Sequence, residues 1–370
     1  MKIPLIKPYI DDEIREKVLE VLDSGYLTEG LVTKQFEEKF SEKIGCRHSI
    51  AVTSCTTGLE VALRAVGIGE GDEVIVPDYT YPATATVAPI TGAKSVIVDI
   101  NKNTMLIDYD KIEAAINDKT KAIIPVSEFG NPLDYERLNK IKQEYGVFII
   151  EDAACAAGAE FKDRKTGNWA DISVFSFHPR KFITTGEGGM ITTNDDKLAE
   201  WMNSYKHFGM NMSKTIREGV QFDIIGTNYK LSNILSAVGL VQLEKIEMLL
   251  GRRRELADNY ICLLSQNENV SLPETTEFGK HSYQSFCIFI RERDRVMAEM
   301  REKGIEVQIG TYSLHLHDAF KNNKLVKLFE TFENSLYAFN HCLVLPLYHQ
   351  LTFDEQEYIV DNLFQAIGGE

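Results

Sequence analysis

The 370-residue sequence predicts an α/β protein, with a mostly parallel central sheet, helices on both faces and a smaller α+β C-terminal domain. Three observations carry this expectation. From Ile50 to about Thr193, short β-rich runs recur, most of them apolar on both faces, as strands covered on both sides are. Helical patterns separate most of these runs, and such alternation builds βαβ units. Beyond a long helical stretch at 232–264 the elements read as α+β. The division expected is 1–245 for a large domain and 246–370 for a small one, since a chain of this length exceeds one compact core.

The elements follow in order. The strands are "SIAVT" (49–53), "EVIVP" (73–77), "SVIVDI" (95–100), "KAIIPV" (121–126), "VFIIED" (147–152), "ISVFSF" (172–177) and "GMITT" (189–193). Each is a β-branched or aromatic run of strand length. Between them, "TTGLEVALRAV" (56–66), "DYDKIEAAIND" (108–118) and "DYERLNKIKQEYG" (134–146) have helical spacing. The long helix "SNILSAVGLVQLEKIEMLLGRRRELADNYICLL" (232–264) is expected to break or bend at Gly251. "SYQSFCIFI" (282–290), "RVMAEMREKG" (295–304) and "DEQEYIVDNLFQAI" (354–367) supply the smaller domain.

Composition narrows the function classes. A formal net charge of −15 argues against nucleic-acid binding, which needs a basic stripe. No apolar run approaches the ~20 residues of a membrane span, and "MKIPLIKPYI" lacks the apolar core and cleavage site of a signal peptide. Six scattered cysteines without a CxxC pair fit reduced thiols and a cytoplasmic location better than a disulfide frame or a zinc site. "TTGEGG" lacks the ending of a P-loop, and "GIGEGDEV" (67–74) precedes a strand instead of opening a helix. His315 and His317 have no cysteine or carboxylate array near them in sequence, so no metal is expected.

In open α/β sheets ligands bind at the carboxyl ends of strands, so the loops after the strands hold the candidates. Asp152 ends one strand; by itself it reads equally as a helix cap. Thr56 and Thr57 begin a helix, as plain capping residues or as an anion site. Ser176 and Lys181 follow "ISVFSF", and Tyr79 and Tyr81 follow "EVIVP"; a single tyrosine is more often packing than function. Together they match one chemical need. Pyridoxal 5'-phosphate requires a lysine for a Schiff base, an acid at its ring nitrogen, donors for its phosphate and a flat side chain on its ring. Lys181, Asp152, Thr56, Thr57, Ser176 and Tyr81 supply that list.

The chain resembles the nucleotide-sugar aminotransferases of the DegT–StrS group, fold-type I pyridoxal-phosphate enzymes. The resemblance runs from "LTEGLVTKQFEEKFSEKIGCRHSIAVTSCTTGLEVAL" (27–63) through "EDAACAAGAEF" (151–161), "SFHPRKFITTGEGGM" (176–190) and "GTNYKLSNILSAVGLVQLE" (226–244) to "GTYSLHLHDAF" (310–320) and "LVLPLYHQLTFDE" (343–355). It implies that Lys181 forms the Schiff base and that Asp152 pairs with the ring nitrogen. Thr56, Thr57 and Ser176 would bind the phosphate, Tyr81 would stack on the ring, and Asn228 would reach the cofactor of a neighbouring subunit in a homodimer. His315 falls in a substrate-facing loop, with Tyr312, His317, Arg180 and Lys230 as further candidates for a nucleotide diphosphate. The implied reaction moves an amino group from L-glutamate to a keto group of a nucleotide-linked sugar, in routes to polysaccharides, other glycans or secondary metabolites. The chain departs from the family at Cys155, where Gln or His is frequent near the cofactor's phenolic oxygen, and at Cys55, which replaces the glycine of "SGT". The "HPR" before Lys181 varies within the family. Three other readings stay open: a sugar dehydratase, which typically carries histidine at the position of Lys181; a keto-cyclitol aminotransferase; and a non-catalytic regulatory protein on the same fold.

Overall fold

The computed structural model describes residues 2–211 and 219–368. Its largest sheet has eight strands, in the order His48–Val52, Gly189–Thr193, Ile172–Ser176, Phe148–Asp152, Thr120–Ile123, Glu73–Pro77, Lys94–Val98 and Val326–Leu328. All run the same way except Gly189–Thr193, which is antiparallel to both neighbours. That strand returns directly from Ile172–Ser176 through residues 177–188, with no crossover helix to reverse it.

The pleat sends alternate residues to opposite sides. Val74 and Val76 join the apolar layer under the helices Cys55–Ala65, Pro82–Thr91 and Asp196–Lys206. Ile75 joins the opposite layer, under Tyr109–Ala115 and Tyr135–Tyr145. Phe36, Phe40, Phe175 and Phe177 pack edge-on in a further layer. A second, antiparallel sheet of Phe286–Phe289, Cys342–Leu345 and Gln308–Ile309 carries the helices Ile246–Leu264, Arg293–Glu302 and Phe353–Gly368 on a core of its own.

The expected break at Gly251 is corrected. The helical stretch divides at Lys245, between Asn233–Glu244 and Ile246–Leu264, and Gly251 lies inside the second helix. Lys245 is drawn aside by Asp11 and Glu13, to which its ammonium is bridged. Gly251 is exposed, and the stripe of Leu249, Leu250, Arg253, Leu256 and Ala257 is buried around it. A glycine costs a helix about 1 kcal/mol, less than that packing supplies.

One close approach shapes the functional end of the sheet. Gly189 opens its strand against the start of the helix Cys55–Ala65, and a Cβ there would lie 2.6 Å from the Ser54 carbonyl carbon. Backbone cannot yield as a side chain can. Gly189→Ala is expected to cost about 1–3 kcal/mol through overpacking, read as a lower Tm with the fold retained.

Candidate active site

Five parallel strands end on one edge, and their loops converge there. The helix Cys55–Ala65 starts at this edge with its amide groups free of intrahelical partners. Ser54 caps it: its hydroxyl accepts from Thr57 N at 3.1 Å, while Thr57 Oγ1 accepts from Ser54 N at 3.1 Å. Thr57 is thus fixed by a capping box, and Thr56 sits beside it at the half-buried helix start. Ser176 is level with Gly189 in the sheet register, and Gly189 is level with Val52, which brings Ser176 to the same edge. Its hydroxyl accepts from His178 N at 3.3 Å.

Glu151 and Asp152 are consecutive acids that the pleat separates. Glu151 faces away and is satisfied by Ser127, Tyr135 and Ser173 at 2.5, 2.6 and 2.8 Å. Asp152 faces the site. Its Oδ2 accepts from the Thr84 hydroxyl at 2.8 Å and its Oδ1 from Ala154 N at 3.1 Å. Burial pushes its carboxyl above the usual range, against the pull of these donors and of Lys181. Cys55 does not disturb the helix start; its buried thiol lies 3.7 Å from Asp152 Oδ1 and 3.6 Å from the Val174 carbonyl.

Lys181 reaches this acid cluster from the turn 177–188, and its ammonium donates to Cys155 Sγ at 3.0 Å. Burial disfavours that ammonium, but Cys155 and the carboxylates of Glu128 and Asp152 outweigh it and hold the amine above its usual range. Burial in turn pushes the Cys155 thiol up, so the sulfur faces the lysine as a neutral group. The departure at Cys155 thus falls against the nitrogen of Lys181.

The loop after Pro77 is paired to the C-terminal half: Tyr312–Ser313 is antiparallel to Tyr79–Thr80. This pairing seats His315 on Asp78, with Nδ1 to Oδ2 at 2.6 Å and the backbone N–H to Oδ1 at 2.7 Å. The His315 ring stacks on Phe332 at 4.7 Å. Tyr81 is 65% exposed and its ring is 6.3 Å from that of Tyr312, which meets His317 edge-on. Tyr79, by contrast, is core: its hydroxyl accepts from Thr311 N and its ring packs on Phe129. Arg180 is exposed, and its carbonyl accepts from Gln284 Nε2 at 2.7 Å. Asn228 is exposed and is held by Lys230, whose Nζ donates to Oδ1 at 2.6 Å. Lys181, Asp152 and Cys155 are brought together directly; Asn228 makes no contact with them within this chain.

Sequence reasoning missed Glu128, Thr80, Thr84 and Asp78. The first was open to the rule already used, because it follows the strand Thr120–Ile123 at the same edge. Glu128 is buried, and burial pushes its carboxyl up to about 7, with Lys181 and Thr80 acting in the opposite sense.

The donor set fits pyridoxal phosphate. A lysine amine and a buried carboxylate face one space, and a capped helix start with free amide groups stands at its rim. A cationic ring nitrogen would supply the positive charge that buried Asp152 lacks.

A model of the DegT/DnrJ/EryC1/StrS aminotransferase family matches residues 8–364. The chain is 37% identical over 322 residues to GDP-perosamine synthase of Caulobacter vibrioides, covering 85% of this chain and 86% of the relative. It is 32% identical to the spore coat polysaccharide biosynthesis protein SpsC of Bacillus subtilis, over 99% of this chain and 97% of the relative. The PLP-form structure of the putative sugar aminotransferase Spr1654 from Streptococcus pneumoniae superposes with a TM-score of 0.91 at 29% identity, covering 99% and 98% of the two chains.

Proposed function

Because the chain belongs to the DegT/DnrJ/EryC1/StrS aminotransferase family, whose members are pyridoxal-phosphate dependent, we propose that it carries an amino group from L-glutamate to a keto group of a nucleotide-linked keto-deoxy sugar. The observation that carries the proposal is Lys181 Nζ set 3.0 Å from Cys155 in front of buried Asp152. Pyridoxal phosphate, when bound, supplies an aldehyde that takes up an amine and a ring that withdraws electrons. The remaining work falls to this chain's residues. Lys181 holds the cofactor and then, freed, moves a proton as a base. Asp152 keeps a proton on the ring nitrogen. Thr56, Thr57 and Ser176 receive the phosphate at the helix start, and Tyr81 covers the ring. His315, fixed on Asp78, meets the sugar nucleotide with Tyr312, and Arg180 adds positive charge. The lysine separates this reading from the dehydratase, which carries histidine there.

The test of substrate starts from the amino form of the loaded protein. Keto-deoxy sugars linked to dTDP, UDP and GDP are offered beside keto-inositols and simple 2-oxo acids, and return of the visible absorption band is followed. Return with one nucleotide sugar is expected, and His315→Ala should then raise the concentration needed about tenfold, the loss of one or two hydrogen bonds. Return only with keto-inositols or 2-oxo acids would overturn the assignment.

The active unit we propose is a homodimer, with Asn228 serving the neighbouring site. Asn228 is exposed, and Ile225 near it is 97% exposed and Phe222 58%, an unusual run of apolar side chains for open solvent. Mixing inactive Lys181→Ala with inactive Asn228→Asp subunits should restore part of the activity, since one kind of hybrid site escapes both lesions. Subunit exchange without recovery would refute sharing.

A further inference from the structure

Glu128 has no part in the mechanism above, yet its surroundings are built with care. It opens the short turn Glu128–Gly130, in which Phe129 and Gly130 both have positive φ, 56° and 96°. For a bulky residue such as Phe129 this conformation is strained, and strain of this kind persists only where the surroundings enforce it. Here they do. Ser282 N donates to the Gly130 carbonyl at 3.0 Å, Ser285 N to the Phe129 carbonyl at 3.3 Å, and Ser282 Oγ to the Cys155 carbonyl at 3.3 Å. The turn is therefore bolted both to the segment bearing Cys155 and to the C-terminal half.

The result is a buried carboxyl group aimed at the lysine cluster. Thr80 hydrogen-bonds to Glu128. Thr80 Oγ1 lies 3.1 Å from Thr84 Oγ1, and Thr84 donates to Asp152 at 2.8 Å. Two buried hydroxyls thus join two buried acids in a continuous chain. The charged or titratable groups facing Glu128 are Lys181, Asp152, Cys155 and Cys287. Glu274 and His281 line with it a cavity of about 50 Å³ on its other side. Of these six, His281 is held neutral by burial, so Lys181 is the one positive charge.

We propose that Glu128 is a positioning residue of the amino-transfer site: linked to Asp152 through the hydroxyls of Thr80 and Thr84, it sets the proton affinity of Lys181 and Cys155. Ionised, Glu128 favours a positive nitrogen at Lys181 and opposes a thiolate at Cys155; protonated, it does neither. The switch falls near neutral pH, where burial has moved this carboxyl. The inference rests on the aminotransferase reading for Lys181, but its effect on Cys155 belongs to the cofactor-free chain.

Two readouts test it. In the cofactor-loaded protein, the pH at which the visible band changes should fall by about one unit in Glu128→Gln, the size of effect a nearby charge has. Glu128→Asp should restore part of the shift. In the cofactor-free protein, alkylation of Cys155 by iodoacetamide at pH 8, followed by mass spectrometry at that cysteine, should speed several-fold in Glu128→Gln. Thr80→Val leaves the charge in place but removes its hydroxyl donor and should move both readouts the same way by less; it decides the matter if Glu128→Gln does not fold. A folded variant with an unchanged band midpoint and an unchanged Cys155 rate would overturn the proposal. A wild-type protein that takes up cofactor without forming a visible band would instead refute the role of Lys181, and the alkylation arm would still judge Glu128.

Discussion

Lys181→Ala is expected to abolish the visible band of the loaded protein, together with its bleaching by borohydride, and to lower amino transfer by roughly ten-thousand-fold. Both effects have one origin. The ammonium that touches Cys155 at 3.0 Å is the nitrogen that would hold the cofactor and, once released, the base that would move the proton. Alanine removes both roles and leaves a gap beside three acidic groups. The fold should survive, because Lys181 sits on a turn at the sheet edge and no strand or helix depends on its side chain. A variant that still formed a reducible visible band would remove the lysine from the centre of the reading.

Asp152→Asn should separate stability from activity. Turnover is expected to fall about a hundred- to thousand-fold, the loss typical when one preorganised charge partner is removed. Stability should move the other way. The folded carboxyl titrates above its unfolded value because burial disfavours its charge. Its contribution to stability is therefore full below the unfolded pKa and is lost as pH rises through the folded one. The amide carries no such charge, and the Thr84 hydroxyl can turn to accept from it. In cofactor-free protein, Tm at pH 8 should be at least that of the wild type, and the difference should shrink toward pH 4. A Tm that falls at pH 8 while turnover stays near normal would show that Asp152 is structural.

The strands and their loops were legible because each run is apolar on both faces and bounded by turn residues. Lys181 and Asp152 could be paired before any coordinates, since both follow strands whose carboxyl ends share an edge. Strand order was not legible, and much of the site depends on it. Thr80 and Thr84 approach Asp152 only because Glu73–Pro77 and Phe148–Asp152 flank Thr120–Ile123. Asp78 holds His315 only because Tyr312–Ser313 pairs with Tyr79–Thr80, more than 200 residues apart. Neither link leaves a local pattern. The break at Lys245 was hidden for a related reason: it is set by Asp11 and Glu13, far along the chain, while Gly251 offered a stronger local signal with no structural consequence.

The strand Val326–Leu328, which lies beside Lys94–Val98 at the margin of the large sheet, bears on how the protein can be made and cut. A fragment ending near residue 245 would strip Lys94–Val98 of its outer neighbour and bare a row of amide and carbonyl groups on an apolar strand. Such an edge templates pairing with other chains. The N-terminal portion expressed alone should form insoluble assemblies, and a polypeptide supplying residues 310–330 in trans should cap the bared edge and keep it in solution.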